Sequence, residues 1–349
     1  MQEHIPAQGR MLWVDAMRGF SMIVVVLGHV LLYMDLGLYN SVLSSILITF
    51  RMPLFFFVSG FFSFRAVSWW NKSKAKDILT RKFQAQIICT IAFISIYQYV
   101  TGVGNWLKDG FGGYWFTIVL FQMYMLYMLL SCLSKYTKRD FVIPVMILLS
   151  VIGIGIIAAG GFKSPLYDFL SWEELCKYLQ FFSLGLICSK FRTKFFNSLN
   201  NNRIITAITI GFIISFLLCY DSQIRQYNYI YKFLHDFLAR YCSLIIVITL
   251  FFNNQSLFNG NSKPARTLKF IGQRTLDIYM IHYFFLPNLR SLYPYLKNDD
   301  MIVLQLIISL TITAVIVALT LLVSAILRQS TTLQTWLFGV KQKNYAIQK

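Results

Sequence analysis

The sequence predicts an all-α, polytopic membrane protein: a bundle of about ten transmembrane helices with both termini in the cytoplasm. Its mean hydropathy is +0.59, and apolar residues make up 57% of its 349 residues. Charged residues make up only 13%, whereas a soluble domain contains about a quarter. The apolar residues fall in runs long enough to cross a bilayer, and the basic residues fall between these runs.

Ten apolar segments are long enough, or nearly so, to cross a membrane as α-helices, which need about 20 residues each. The sixth is the weakest, because Glu173, Glu174 and Lys177 crowd its beginning. No long linker divides the chain, so we predict a single domain over residues 1–349 with a short interfacial tail at 328–349. The ten segments are 19–36, 42–64, 84–103, 114–134, 141–162, 174–189, 203–220, 230–252, 275–294 and 301–327.

The distribution of Lys and Arg sets the orientation. With the N-terminus in the cytoplasm, every cytoplasmic connection is basic, and the outer connections contain few basic residues and several acids. We therefore attribute the formal net charge of +18 to membrane topology. We predict that the protein contacts membrane lipid and that it has no nucleic-acid partner. None of the six cysteines lies in a CxxC pair, so we predict neither a disulfide framework nor a metal site.

Ionisable residues lie inside the first two apolar segments. Arg18 and His29 are eleven residues apart, so on a helix they share one face and lie about 16 Å apart along the axis. Arg18 falls at the inner surface and His29 near the bilayer middle, where an ionisable group is costly and therefore a functional candidate. Arg51 falls at a similar depth on the next helix, which Pro53 should kink or open.

Later segments carry further polar and aromatic candidates. Asp236 and Arg240, spaced i, i+4 in the eighth segment, can pair on one helix face. His282 lies in the inner half of the ninth segment. Trp115 begins the fourth segment on the outer side, where an aromatic ring can stack on a sugar.

This arrangement suits an enzyme that moves a group from a cytoplasmic donor to an outer acceptor. Phosphates of a donor can bind basic side chains at the inner surface. A central histidine can take the proton from an acceptor hydroxyl. The basic residues at the inner surface, which we call the inner basic rim, are Arg18, Arg81, Lys82 and Arg274.

Four stretches of the chain carry motifs that occur together in one known family. They are Asp15-x-x-Arg18-Gly19 followed by His29, the sequence FRMPLFFFVSGF at 50–61, Tyr114-Trp115-Phe116, and the sequence TLDIYMIH at 275–282. In this order they resemble the Arg-x10-His signature, the second span, the Trp-Phe element and the late Tyr-x-x-His stretch of acyltransferase family 3, the integral-membrane O-acyltransferases. Arg51 departs from the pattern, because many relatives have histidine there.

The resemblance implies transfer of an acyl group, usually acetyl, from cytoplasmic acyl-CoA to a hydroxyl of a surface glycan or lipid-linked sugar. It implies acetyl-CoA as donor substrate, no metal, and a bacterial inner (plasma) membrane. His29 would be the catalytic histidine, and Arg18 a donor-handling or structural arginine. From their positions in the first two segments we predict Arg18 and Arg51 as catalytic residues beside His29. The expected donor-binding residues are Arg18, Arg81, Lys82 and Arg274. The expected acceptor-binding residues are Trp115, Asp236, Arg240, Tyr279 and His282.

Each candidate also has a structural interpretation. His29 can bond a neighbouring helix carbonyl, and Arg18 can serve as a plain inner-surface anchor. Arg51 can either pair with Asp236 or bind a substrate oxygen. Asp236 and Arg240 can form a purely structural pair.

The ninth segment and the reaction type leave alternatives open as well. Asp277 can cap its helix, and His282 can serve packing. His29 can act as general base or carry the acyl group transiently. A non-enzymatic transporter or flippase of a lipid-linked sugar or anion would also use central charges and a Pro-broken helix. A third alternative is an enzyme that acylates a small metabolite at the inner face.

Overall fold

The structure is a computed structural model that describes residues 10–34, 42–102, 104, 106–161, 164–220, 229–287 and 302–338. These residues form α-helices, with short 3-10 and π segments, and contain no strand, which confirms the all-α prediction for the described part of the chain. The helices are α1 (Leu12–Met34), α2 (Val42–Ser63), α3 (Lys72–Lys82), α4 (Cys89–Thr101), α5 (Trp106–Asp109), α6 (Trp115–Thr137), α7 (Val142–Ala158), α8 (Pro165–Phe169), α9 (Trp172–Lys190), α10 (Arg192–Leu199), α11 (Asn202–Tyr220), α12 (Tyr229–Asn253), α13 (Gln255–Asn259), α14 (Lys263–Gln273), α15 (Thr275–Ile281), α16 (Ile302–Leu327) and α17 (Thr331–Phe338).

Several of these helices are long and apolar enough to cross a bilayer, so the protein is a multi-pass membrane protein. A π segment, Phe83–Ile88, joins α3 to α4, and a bend of 76° separates α10 from α11. Within the described residues six spans meet the criteria of length and hydropathy, and a seventh does if α10 and α11 count as one broken span. The six are Leu12–Tyr33, Val42–Ser63, Lys72–Thr101, Gly112–Thr137, Asp236–Asn253 and Ile302–Leu327. The count of ten and the cytoplasmic termini stay predictions.

The ninth predicted segment, 275–294, is wrong as a continuous helix. Helix α15 ends at Ile281, a 3-10 turn follows over His282–Phe285, and the chain is no longer helical at Leu286 and Pro287. Proline has no backbone N–H, and its ring disfavours helical conformation at the residue before it. Residues 288–294 lie outside the described residues, as do residues 339–349 of the predicted tail.

The chain divides into two compact units, each assembled from segments that are far apart in sequence. Unit 1 contains Met1–Phe55, Thr193–Thr275 and Leu286–Val317. Unit 2 contains Phe56–Arg192, Leu276–Phe285 and Ala318–Lys349. The single domain over residues 1–349 stays a prediction.

In unit 1, helices α1 and α14 cross in backbone contact because both carry glycine at the crossing. A Cβ at Gly19 would collide with the carbonyl of Leu268, and a Cβ at Gly272 would collide with the carbonyl of Asp15. Small residues allow this close approach between helices in a membrane. The crossing holds the part of α1 that carries Arg18 against the end of α14.

We expect Gly272→Ala to destabilise the protein by about 1–3 kcal/mol, because the added methyl meets backbone that cannot move without separating the helices. The measurement is the thermal unfolding midpoint in detergent. Gly155→Ala is the matched control, since a Cβ at Gly155 in α7 meets nothing within 4 Å. Equal unfolding midpoints for the two variants would contradict the close crossing.

Unit 2 contains a second close crossing, between the end of α2 and α9. A Cβ at Gly60 would collide with the carbonyl of Phe182, and a Cβ at Gly185 would collide with the carbonyl of Phe57. The rings of Phe181 and Phe182 are fully buried beside this crossing. The FFFVSGF sequence of α2 therefore serves helix packing.

Candidate active site

Helix α1 carries both Arg18 and His29. It is helical without interruption from Leu12 to Met34, so the two residues share one face and lie about 16 Å apart along its axis. Both side chains are half-buried, whereas most residues between them are buried. A reacting group must be reached by substrate, and the partial exposure of His29 meets this requirement.

The guanidinium of Arg51 lies directly against Gly28, the residue that precedes His29. An ideal Cβ at Gly28 would collide with a terminal nitrogen of Arg51. Helix α2 remains helical through Pro53, so this proline does not open it. The absence of a side chain at position 28 therefore provides the space in which the Arg51 cation sits, next to the backbone of His29.

We expect Gly28→Ala to lower activity by about 10- to 100-fold, because the methyl displaces the guanidinium of Arg51, a residue that the sequence predicts to be catalytic. The unfolding midpoint should change little, since the displaced atoms end a flexible side chain. Initial rates of the acyl transfer that the sequence resemblance predicts measure the effect, with Gly155→Ala as control. The double variant Gly28→Ala/Arg51→Ala should match Arg51→Ala alone. A wild-type rate for Gly28→Ala would refute this role.

Arg18 reaches across unit 1 to a residue far along the chain. Its Nη2 donates a hydrogen bond of 3.0 Å to Oγ1 of Thr275, the first residue of α15. Asp15, one turn before Arg18, accepts a hydrogen bond of 2.6 Å from Nε of Arg10. The two residues of the Asp15-x-x-Arg18 motif therefore bond different partners: Asp15 bonds Arg10, and Arg18 bonds Thr275.

The other predicted residues of unit 1 are Arg274, Asp236 and Arg240. Arg274 follows α14 as its C-cap, and its guanidinium lies 5.9 Å from the centre of the Phe270 ring. Arg240 donates from Nε to Asp236 Oδ2 over 2.8 Å, so the predicted i, i+4 pair forms. The Arg240 side chain is only 8% exposed, against 38% for Asp236.

Trp115 of unit 2 uses its ring for packing within the protein. It stacks on Tyr178 with ring centres 5.5 Å apart and an interplanar angle of 15°. It also lies near Phe56, at 6.2 Å. One face of the ring is therefore covered by Tyr178, which limits the predicted stacking on an acceptor sugar.

Tyr279 and His282 are buried side chains whose polar atoms bond the protein itself. The hydroxyl of Tyr279 donates to the Gly113 carbonyl over 2.7 Å and accepts from the Phe116 amide over 3.2 Å. Nδ1 of His282 lies 3.0 Å from the Ile278 carbonyl and 2.9 Å from that of Tyr279. These bonds favour packing over substrate contact for both residues.

Arg81 and Lys82 end helix α3 of unit 2. Arg81 is exposed and donates from Nε to the Asp77 carbonyl over 3.1 Å. The ammonium of Lys82 lies 3.7 Å from the centre of the Tyr124 ring, in cation–π contact. Arg81 thus keeps its charge at the surface, whereas the charge of Lys82 points into the unit.

Asp277 is a buried ion-pair partner, which replaces the predicted helix cap. Arg328 donates to its two carboxylate oxygens over 2.7 and 2.8 Å, and Ser324 donates to it as well. Arg328 also lies over the ring of Phe338 in α17, at 4.4 Å. These contacts tie α15 to the ends of α16 and α17.

The sequence interpretation missed the roles of Gly28, Thr275 and Arg328. Gly28 directly precedes a candidate catalytic histidine, and Thr275 begins the TLDIYMIH stretch, so both positions carried a weak signal. Arg328 directly follows the tenth predicted segment, 301–327, and nothing in the local sequence indicated its partner. All three act through partners that are distant in sequence.

Comparison with protein families finds a match over most of the chain. Residues 11–329 match the family model described as an acyltransferase domain, that of acyltransferase family 3. No curated protein matches the chain. No solved structure matches it either.

Proposed function

This chain belongs to acyltransferase family 3 and is a membrane acyltransferase, and we propose that it transfers an acetyl group from cytoplasmic acetyl-CoA to a hydroxyl of a surface glycan or lipid-linked sugar. We further propose that it acts in a bacterial inner membrane. The observation that carries the proposal is the position of His29: half-buried on α1, beside the Arg51 guanidinium at Gly28 and about three turns from Arg18.

In the proposed reaction His29 is the general base. Its imidazole takes the proton from the acceptor hydroxyl while the hydroxyl oxygen attacks the thioester carbonyl. The carbon–sulfur bond then breaks, and the leaving thiolate of CoA takes the proton from the imidazolium. The products are the O-acetyl ester and CoA, and the chemistry requires no metal ion.

Arg51 is proposed to stabilise the negative oxygen that forms on the thioester carbon. A guanidinium is always charged and presents several N–H donors in one plane. Donors held in place before the reaction stabilise developing charge without reorganisation. The fit of Arg51 against Gly28 supplies this fixed position.

Arg18 and Arg274 are proposed to bind the phosphates of acetyl-CoA, since guanidinium groups match phosphate oxygens in geometry and charge. The pantetheine arm of CoA is an extended chain between phosphates and thioester, which suits the separation of Arg18 from His29. For Arg81 and Lys82 of unit 2, donor binding stays a prediction from the sequence. Of the two predicted acceptor residues in unit 1, the Asp236 side chain is more exposed than that of Arg240, and the proposal uses Asp236. For Trp115, Tyr279 and His282 of unit 2, acceptor binding stays a prediction from the sequence.

The test supplies acetyl-CoA labelled in the acetyl group to the purified protein in vesicles that contain lipid-linked sugars. Released CoA is measured with a thiol reagent, and the acceptor ester by mass spectrometry. We expect CoA and ester in equal amounts, with the ester on lipid-linked sugar. Movement of the sugar lipid without release of CoA would instead identify a transporter. Release of CoA without any ester on the lipid-linked sugar would overturn the proposed acceptor.

A further inference from the structure

The hydrogen bond between Arg18 and Thr275 joins residues 257 positions apart, and the backbone around both ends is held in place. Gly19 follows Arg18, and Gly272 precedes Thr275 by three residues. These two glycines form the α1–α14 crossing, where backbone meets backbone. The backbone amide of Arg274 caps the end of α14 by donating a hydrogen bond of 2.9 Å to the Ile271 carbonyl. Thr275 therefore has a fixed position relative to α1, and it is only 6% exposed.

Threonine is a neutral partner for the guanidinium, so the Arg18–Thr275 contact is a hydrogen bond and differs from an ion pair. A carboxylate at this position would add a negative charge beside Arg18, whereas a hydroxyl accepts one N–H without adding any charge. An arginine side chain has many rotamers, and holding one of them in advance reduces the entropy lost when a ligand binds.

We propose that Thr275 is a positioning residue that orients the Arg18 guanidinium for the phosphates of the acyl donor. The inference rests on the proposed function, because it assigns Arg18 to acetyl-CoA. Thr275 acts through Arg18 and has no part in the transfer of the acetyl group. Its loss therefore weakens donor binding and leaves the chemical step at His29 unchanged.

The test compares Thr275→Val, which removes the hydroxyl at nearly constant shape, with Thr275→Ser, which keeps it. Initial rates are measured against acetyl-CoA concentration at saturating acceptor. We expect Thr275→Val to raise the KM for acetyl-CoA about tenfold, the low end for a hydrogen bond to a charged group, with kcat within about twofold of wild type. Thr275→Ser should restore the KM. Thr275→Ala is the second variant if valine impairs folding.

Two further variants separate positioning from general stability. Thr249→Val is the matched control, because Thr249 is a buried threonine of unit 1 whose hydroxyl donates to the Ile245 carbonyl of its own helix over 2.8 Å. Its KM for acetyl-CoA should equal that of the wild type. In an Arg18→Ala background, Thr275→Val should raise the KM no further, because the orienting bond is already absent.

The outcomes distinguish the two proposals. A KM raised by Arg18→Ala but unchanged in Thr275→Val would overturn the positioning role and leave the proposed function intact. So would additive effects in the double variant, or a fall in kcat and unfolding midpoint without a change in KM. An unchanged KM in Arg18→Ala, or no turnover of acetyl-CoA by the wild type, would overturn the proposed use of Arg18 or the proposed function itself.

Discussion

His29→Ala should lower acetyl transfer by about 100- to 10,000-fold, the usual contribution of general acid–base catalysis, and leave the protein folded. The side chain is half-buried on the continuous helix α1, so its removal opens only a small space. In the proposed reaction this variant lacks the group that accepts the hydroxyl proton. The measurement is the initial rate of CoA release with labelled acetyl-CoA and the lipid-linked acceptor.

His29→Gln is the companion variant, because it keeps a polar side chain of similar size that cannot accept a proton under these conditions. We expect it to be as inactive as His29→Ala, with an unfolding midpoint close to that of the wild type. Rapid quenching of the wild type in denaturant near neutral pH during turnover then tests the acyl-histidine route, since label bound to the protein would indicate a covalent intermediate. Transfer at the wild-type rate by either variant would rule out His29 as the base and as the carrier.

Arg328→Ala should destabilise unit 2 by about 3–5 kcal/mol, because it leaves a buried carboxylate without its counter-ion. The Asp277 side chain is 2% exposed, and that of Arg328 is 16% exposed. Asp277→Ala should destabilise in the same direction, since it removes both oxygens that the guanidinium binds. Thermal or denaturant unfolding in detergent measures the change.

Asp140→Ala is the matched control in the same unit. Asp140 pairs with Lys190 over 2.9 Å, but the two side chains are 51% and 34% exposed, and an exposed pair contributes at most about 1 kcal/mol. The double variant Asp277→Leu/Arg328→Met should be more stable than either single alanine variant, because no charge is then left buried alone. Equal stability of Arg328→Ala and Asp140→Ala would refute the buried pair.

The predictions from sequence succeeded where an interaction depends on helical repeat alone. The spacing of Asp236 and Arg240 places them on one face of α12, and they form the expected ion pair. The spacing of Arg18 and His29 needs only that α1 be continuous, which it is. The prediction of the ninth segment as a continuous helix failed because hydropathy shows only how many consecutive residues can lie in lipid. It does not show where the helix breaks, which here is at His282, before Pro287.

The sequence by itself determined that this protein is helical, lies in a membrane and carries the motifs of its family, because hydropathy and helical spacing are local properties of the chain. Only the tertiary structure decided which partners hold the polar side chains: Gly28 for Arg51, Thr275 for Arg18, and Arg328 for Asp277. The last two contacts join residues 257 and 51 positions apart. Which partners meet depends on how closely the helices approach one another, and glycine at a crossing allows the closest approach. This packing between distant segments cannot be read from any local sequence pattern.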